Sequence, residues 1–335
     1  MIDDKNGFWR DSFALQGSVT PKVFPLILVF GAISGVICAL DWVVERALNV
    51  QIGVEVAPHE IAGAALGLLL ILRTNAGYDR WWEARKLWGG MVNQSRNLAI
   101  SALAYGTSDS LWRDKVVRWV SVFPHIARSS LRSQKPGAEI FALVGQRDAE
   151  GISQARHMPT YVAMKIAVLL REGRDQHQLD PFAFQQIDRE RALLIDHIGA
   201  CERILKTPLP MVYSIKIRRF IMLFLVTLPF ALLHRMDFEL LIPLITMLVA
   251  YPLISLDQIG VELQNPFSEN NLNHLPLQSI ASTIQDNVMG LQNVFQSEPF
   301  QEAIDSISAA GFPARLDPSG PKTGHGTFAD LALVK

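Results

Sequence analysis

The chain has 335 residues, 49% of them hydrophobic, and 31 Lys plus Arg balance 32 Asp plus Glu for a formal net charge of −1. Charged residues make up 19%, below the roughly 25% of an ordinary soluble chain, which argues against a disordered chain and against a strongly basic nucleic-acid binder. Two cysteines, Cys38 and Cys201, without CxxC spacing leave neither a disulfide framework nor a zinc ribbon.

The apolar residues gather in four segments. Residues 23–40 (VFPLILVFGAISGVICAL) run eighteen positions without a charge, close to the ~20 that cross a ~30 Å hydrocarbon core. Asp41, Trp42 and Glu45 follow where a signal peptide would need a small-residue cleavage site. Cys38, inside this run, reads as a small hydrophobe. Residues 61–72 (IAGAALGLLLIL) are equally apolar but only twelve long, and their Gly and Ala content suits a helix surrounded by protein. Residues 220–233 and 240–256 form a close pair separated by His234, Arg235, Asp237 and Glu239, the pattern of a helical hairpin with kinks at Pro229, Pro243 and Pro252.

Between and after these segments the chain reads as helical. Apolar residues recur at three and four spacing over 86–105, 110–132, 159–172, 181–206 and 276–295, with caps such as Ser108 and Asp180. Residues 134–157 carry Pro, Gly and charges without clear period and read as a loop or an insertion, and the Gly- and Pro-rich 311–335 reads as a mobile tail.

Basic residues set the orientation. Lys5, Arg10 and Lys22 precede the first segment, Arg73, Arg80, Arg85 and Lys86 follow the second, and Lys206, Lys216, Arg218 and Arg219 precede the third. The opposite ends hold only Arg46 and Arg235, so both termini and the 73–219 body are expected in the cytoplasm of an inner-membrane protein. The expected organisation is a cytoplasmic segment at 1–22, a first membrane hairpin at 23–77, a cytoplasmic helical domain at 78–217, a second hairpin at 218–256, a C-terminal cytoplasmic segment at 257–310 and the 311–335 tail.

No phosphate-cradling, dinucleotide, zincin or nucleophile-elbow motif is present. Residues 61–72 hold no polar group and 220–233 only Thr227, so no catalytic residue, cofactor or metal is assigned and an enzyme is disfavoured. The eight histidines lack metal-ligand spacing and read as surface or helix-terminal residues. His59-Glu60 after Pro58 suits a helix start, or else a ring of acid at a pore mouth formed by Glu60.

Residues 61–90 pass from an apolar helix directly into the polar, aromatic stretch RTNAGYDRWWEARKLWGG. Ala64, Leu68 and Leu72 lie at i, i+4 and i+8 on one face. Around a symmetry axis that face would stack apolar rings that gate by dewetting; alone, it would be a buried core element. Arg80, Trp81, Trp82, Arg85, Lys86 and Trp88 read foremost as an interfacial belt, and Glu83 with Arg85 as ion-pair partners between helices.

RTNAGYDRWWEARKLWGG at 73–90, CERILKTPLPMVYSI at 201–215 and LQNPFSENNLNHLPL at 263–277, in this order around the hydrophobic segments, resemble the bestrophins in their bacterial branch over roughly residues 10–297. The resemblance implies an all-α membrane protein with four transmembrane helices per subunit and a cytoplasmic helical body. It also implies a homopentamer around a central pore lined by the second membrane helix, with the subunit itself, membrane lipids and permeant inorganic ions as partners. It places the neck at Ala64, Leu68 and Leu72, where the family's bulky Ile and Phe give way to smaller residues and a wider neck. A cytoplasmic aperture falls near Arg191, within a register that includes Ile187 and Leu194, although Asp188 to Arg191 can equally pair among themselves on a solvated face. The calcium clasp of the eukaryotic branch corresponds to Glu262, Asn265, Glu269, Asn270 and Asn273. Here Asn270 and Asn273 replace aspartates, so calcium dependence is not expected. Anions are the family's expected cargo. A charged ring at Glu60 or Asp257 would instead favour cations, and a membrane-anchored scaffold without a pore is the alternative of another class.

Overall fold

Prolines open the first two long helices, and a left-handed cap closes the first of them. The computed structural model describes residues 7–49, 53–176, 179–236 and 238–309. A short helix α1 (Gly7–Ser12) precedes α2 (Thr20–Leu48), which carries Pro21 in its first turn, where a missing N–H costs nothing. It ends at Asn49, whose φ of 53° lets its N–H bond to the Glu45 carbonyl at 2.8 Å. The next helix, α3 (Ala57–Tyr105), is one uninterrupted element of 49 residues, roughly 70 Å long at 1.5 Å per residue. The expected boundary at 77/78 therefore falls inside a helix, and the expected helix over 86–105 is the second half of that same helix. No Pro or helix-ending cap falls between Leu72 and Lys86, so the change from apolar to polar composition alters the surroundings of the helix and not its path.

The body follows. The helix α4 (Ser110–Leu131) is capped by Asp109 and not Ser108, the Asp109 carboxylate accepting the Leu111 N–H at 2.9 Å. Residues 134–157 are not a loop. They contain α5 (Ala138–Val144) and α6 (Gln146–Gln154), broken at Gly145 with a φ of 81°, and Ile140, Ala149 and Ile152 are fully buried. Two helices this short never complete an apolar period that sequence alone can register. They are followed by α7 (Met158–Gln176) and α8 (Pro181–Lys206); α8 starts at Asp180, which accepts from the N–H groups of Phe182 and Ala183.

The second apolar pair forms α9 (Met211–Leu233) and α10 (Ile242–Glu262), joined through a single 3-10 turn at Glu239–Leu241. Pro229 and Pro252 lie inside these helices, whereas Pro243 sits in the first turn of α10 and has no carbonyl to displace. Then come α11 (Leu277–Phe295) and α12 (Glu298–Ala309). No strand occurs among the described residues. The chain to Met289 forms one compact unit and that from Gly290 a second, in which the Phe295 and Phe300 rings lie 5.8 Å apart. The expected mobile tail lies outside the described residues.

Three of these elements are long and apolar enough to cross a membrane: α2, α3 and the Glu239–Glu262 stretch. In α9, Lys216, Arg218 and Arg219 leave an apolar run of only fourteen residues, Phe220 to Leu233. Its buried face (Ile217, Ile221, Leu225, Leu228) nevertheless packs into one apolar cluster with Val23, Ile27, Leu66, Leu70 and Ile254. In this bundle α2 lies against α9 and α10, and α3 lies against α9 and α10 with its first half and α4 and α8 with its second. The helices alternate in direction, so one end collects Lys22, Arg73, Arg218 and Asp257, and the other joins Val54 N–H to the Phe230 carbonyl at 3.1 Å. Midway, the buried hydroxyls of Ser34 and Thr246 meet at 3.1 Å and satisfy each other where no water reaches.

Candidate functional site

Along α3 the buried positions Leu66, Leu70, Arg73, Gly77, Ala84, Trp88, Met91, Ser95, Leu98 and Ala102 advance by steps of four and three, with one step of seven from Gly77 to Ala84, a heptad rhythm. The opposite edge is equally regular: Ile61, Ala64, Leu68, Leu72, Asn75, Asp79, Trp82, Lys86, Asn93 and Asn97 are all exposed on the subunit. Leu68 is 59% and Leu72 52% exposed although both occupy the most apolar part of the chain. This stripe is apolar to Leu72 and polar from Asn75 on. The three positions expected at a neck share it, while the residues facing the other way pack on α9, α10, α4 and α8. The long helix thus keeps one face for its own subunit and presents another along its entire length.

The transition point is locked from behind. The Arg73 side chain, 1% exposed, ion-pairs with Asp257 of α10, which also accepts from Arg218 Nε of α9 at 2.9 Å. Gly77 beside it allows α10 to approach closely: a Cβ there would lie 3.1 Å from that of Leu263. A turn further, Arg80 donates to the carbonyls of Ile204 at 2.5 Å, Thr207 at 2.7 Å and Gln264 at 3.2 Å, closing the C-terminal end of α8 with a cation. Arg80 is therefore a tie between helices and not part of an interfacial belt. Trp88 is fully buried and Trp81 donates to the Asn273 carbonyl at 2.8 Å, so the expected aromatic and cationic face divides. Trp82, Arg85 and Lys86 remain exposed, and Trp82 stacks with Tyr78 at 6.5 Å. Glu83 reaches Arg203 of α8 at 2.5 Å, the inter-helix pairing expected of it.

At the other end of α3, His59 Nε2 lies 2.9 Å from the Thr227 hydroxyl, and Glu60, still 66% exposed, lies 3.4 Å from Arg235. On α8, Ile187 and Leu194 are wholly buried, seven residues apart on the side packed within the subunit, and so they face no lumen. Arg191 retains partial exposure but is held by Asp188 through Nε at 2.6 Å and Nη2 at 3.2 Å. The exposed edge of α8 instead carries Gln185, Arg189, Asp196 and Arg203. Counting along the chain fixes the turn, and only packing fixes which side of it looks outward.

The loop over 263–277 is built on hydrogen bonds that consume its acids. Glu262 accepts from Lys22 at 2.7 Å, Gln258 at 3.0 Å and the Leu272 N–H at 2.8 Å. Asn265 accepts the Phe267 N–H at 3.2 Å, and Glu269 pairs with Arg132, which also donates to the Phe267 and Leu275 carbonyls. Asn270 and Asn273 are exposed. Asn271, unremarked in the sequence, binds the carbonyls of Glu262 and Asn265 at 3.1 and 2.8 Å. Two carboxylates already saturated by cations and N–H groups do not fit calcium, which needs several free charged oxygens. Burial lowers the Arg132 pKa, with Glu269 opposing.

Two further sequence expectations change. His125 is buried in the middle of α4, with Nε2 2.7 Å from Gln285, and His197 packs against Gly90, where a Cβ would come within 2.5 Å of its ring. Cys201 is fully buried and its thiol is pushed up to about 12, so it stays protonated.

A family model described as bacterial/fungal bestrophin protein matches residues 1–290. A voltage-dependent anion channel-forming protein of Synechocystis is 31% identical over 292 residues, covering 86% of this chain and 91% of the relative. One of Escherichia coli K12, of the same descriptive name, is 32% identical over 286 residues, covering 85% and 91%. The crystal structure of a bacterial bestrophin homolog from Klebsiella pneumoniae superposes with a TM-score of 0.73 at 24% identity, over 81% of this chain and 98% of that one.

Proposed function

The chain belongs to the bacterial and fungal bestrophin family, and on that premise we propose that it is an ion channel, a homopentamer in the cytoplasmic membrane with both termini inside, that passes small anions. The observation that carries this reading is the exposed stripe of α3, which runs from Ile61 to Lys86 and resumes at Asn93 and Asn97. With copies arranged about an axis, Ala64, Leu68 and Leu72 stack as apolar rings, a constriction that water leaves readily and that gates by dewetting. Below it, Asn75, Asn93 and Asn97 offer polar side chains to a hydrated ion.

The sign of the ion follows from which charges are committed elsewhere. Asp257 is 7% exposed and bound by two arginines, and Glu60 is paired with Arg235, so neither acid supplies an unopposed ring. On the α3 stripe the exposed Asp79 is offset by Lys86, and Arg85, exposed beside the stripe, leaves one positive charge over; the Synechocystis and Escherichia coli relatives carry the words anion channel-forming in their names. Arg191, neutralised by Asp188, contributes little.

The test is flux in proteoliposomes under asymmetric sodium chloride. Wild type is expected to reverse towards the chloride potential, Leu68→Ala to raise conductance without changing the sign, Arg85→Ala to weaken anion preference, and Arg191→Ala to leave it nearly unchanged. Absence of flux from well-incorporated oligomers would replace the channel with a membrane-anchored scaffold.

A further inference from the structure

We propose that a groove between α2, α9 and α10, at the cytoplasmic end of the membrane helices, holds an anionic phospholipid, its phosphate between Lys22 and Arg218 and an acyl chain along the apolar wall. The proposal rests on the membrane embedding and orientation of the subunit and not on conduction.

The groove encloses about 340 Å³. Leu26, Phe30, Met222 and Ile254 make its apolar wall, and Lys22 and Arg218 stand at its rim. Their arrangement is asymmetric. The carboxylates that hold them are recessed, Glu262 at 2% and Asp257 at 10% side-chain exposure, while Lys22 and Arg218 are 42% and 55% exposed. Asp257 lines the groove floor together with Gln258, and Glu262 lies outside its lining, so the more exposed cations stand in front of the acids. Arg73 shares Asp257 with Arg218, so three cations meet two carboxylates and one positive charge is left over. Arg218 spends only Nε on Asp257 among the bonds described.

Depth fits the same occupant. Lys22 opens α2 and Arg218 lies two turns into α9, the level at which the basic residues mark the inner membrane boundary. The apolar wall extends from there towards the membrane centre. A phosphate alone would leave this wall wet, and a neutral lipid would leave the surplus charge unmet. Because α2 packs on α9 and α10, the groove lies behind the layer they form against α3, away from the stripe assigned to the pore. Lipid-facing cationic pockets of this kind, beside the inner leaflet, suit anionic headgroups.

The experiment titrates delipidated, detergent-purified oligomer with acyl-labelled phosphatidylglycerol and phosphatidylcholine, with glycerol phosphate as competitor. Wild type is expected to prefer phosphatidylglycerol by roughly fivefold, the worth of about one surface cation. Lys22→Gln, which leaves Glu262 to Gln258 and the Leu272 N–H, should abolish that preference at a lowered melting temperature, and Arg218→Gln, after which Arg73 still holds Asp257, should do so at a nearly unchanged one. Met222→Trp, which fills the groove without touching charge, should weaken both lipids, and glycerol phosphate should not compete. Equal affinity for the two lipids, or a preference that survives Lys22→Gln, overturns the proposal. Competition by glycerol phosphate would reassign the site to a free anion, and ready disulfide cross-linking between subunits through Met222→Cys would make it a subunit interface.

Discussion

Replacing Asp257 by alanine should destabilise the protein far more than replacing its exposed partner Arg218. Asp257 carries two cations of unequal burial: the Arg73 side chain is 1% exposed and the Arg218 side chain 55%. Arg73 bonds Asp257 through Nη1, and its Nε and Nη2 are buried without a partner, so the carboxylate is its whole compensation. Removing one member of a buried pair strands the other charge, a cost of about 3–5 kcal/mol. Arg218→Ala leaves the buried pair intact and loses a screened contact of about 1 kcal/mol or less. The double variant Arg73→Met with Asp257→Leu removes both buried charges and should recover most of the loss. Thermal unfolding of the detergent-solubilised oligomer, followed by tryptophan fluorescence, gives the order directly. An Asp257→Ala variant as stable as Arg218→Ala, or a double variant no better than Asp257→Ala, would refute the view that Arg73 is compensated by this carboxylate alone.

Three other outcomes follow from the body. Burial lowers the His125 pKa below the ordinary 6.5, with Gln285 and Glu139 opposing and Arg128 assisting. The unfolded chain then takes up a proton that the folded one refuses, so stability falls as pH drops below 6.5, and His125→Gln should flatten melting temperature against pH in that window. Arg132→Ala should cost about 2–3 kcal/mol, since its charged hydrogen bonds hold the Phe267 and Leu275 carbonyls, and hydrogen exchange should rise over residues 263–277. Calcium addition or chelation should leave both melting temperature and flux unchanged, because Glu262 and Glu269 are already occupied by Lys22 and Arg132; currents that disappear on chelation would refute this.

What could be read from the chain alone depended on how locally each feature is encoded. The boundaries of α8 follow from Asp180, Pro181 and an unbroken period, and the apolar run of α2 marks its own membrane crossing. The exposed stripe at Ala64, Leu68 and Leu72 follows from helical spacing. The continuity of α3 is also local in principle, since nothing between Leu72 and Lys86 breaks a helix, but the change in composition there imitates a domain boundary. Ile187, Leu194, Arg80 and Trp88 could not be assigned from spacing, because their environments are set by helices far away in sequence. The same is true of His125, where a buried neutral imidazole and an exposed one look identical in a list of residues.

The one-piece construction of α3 also has a mechanical consequence. A rod of about 70 Å that pivots at the Arg73 to Arg80 anchorage by one degree carries each end by well under 1 Å, with no joint to absorb the difference. Tilt imposed where α4 and α8 grip the lower half arrives at Leu68 and Leu72 with its sense reversed, as in a lever about a fulcrum. Leu72 lies beside the fulcrum and Leu68 only about 8 Å beyond it, so each degree moves them by about 0.1–0.2 Å and a tilt of several degrees is needed to change the proposed constriction. A ligand, a voltage or a contact acting on the cytoplasmic body then needs no relay of side chains to reach the membrane, because the backbone proposed to line the constriction is the same one that it touches.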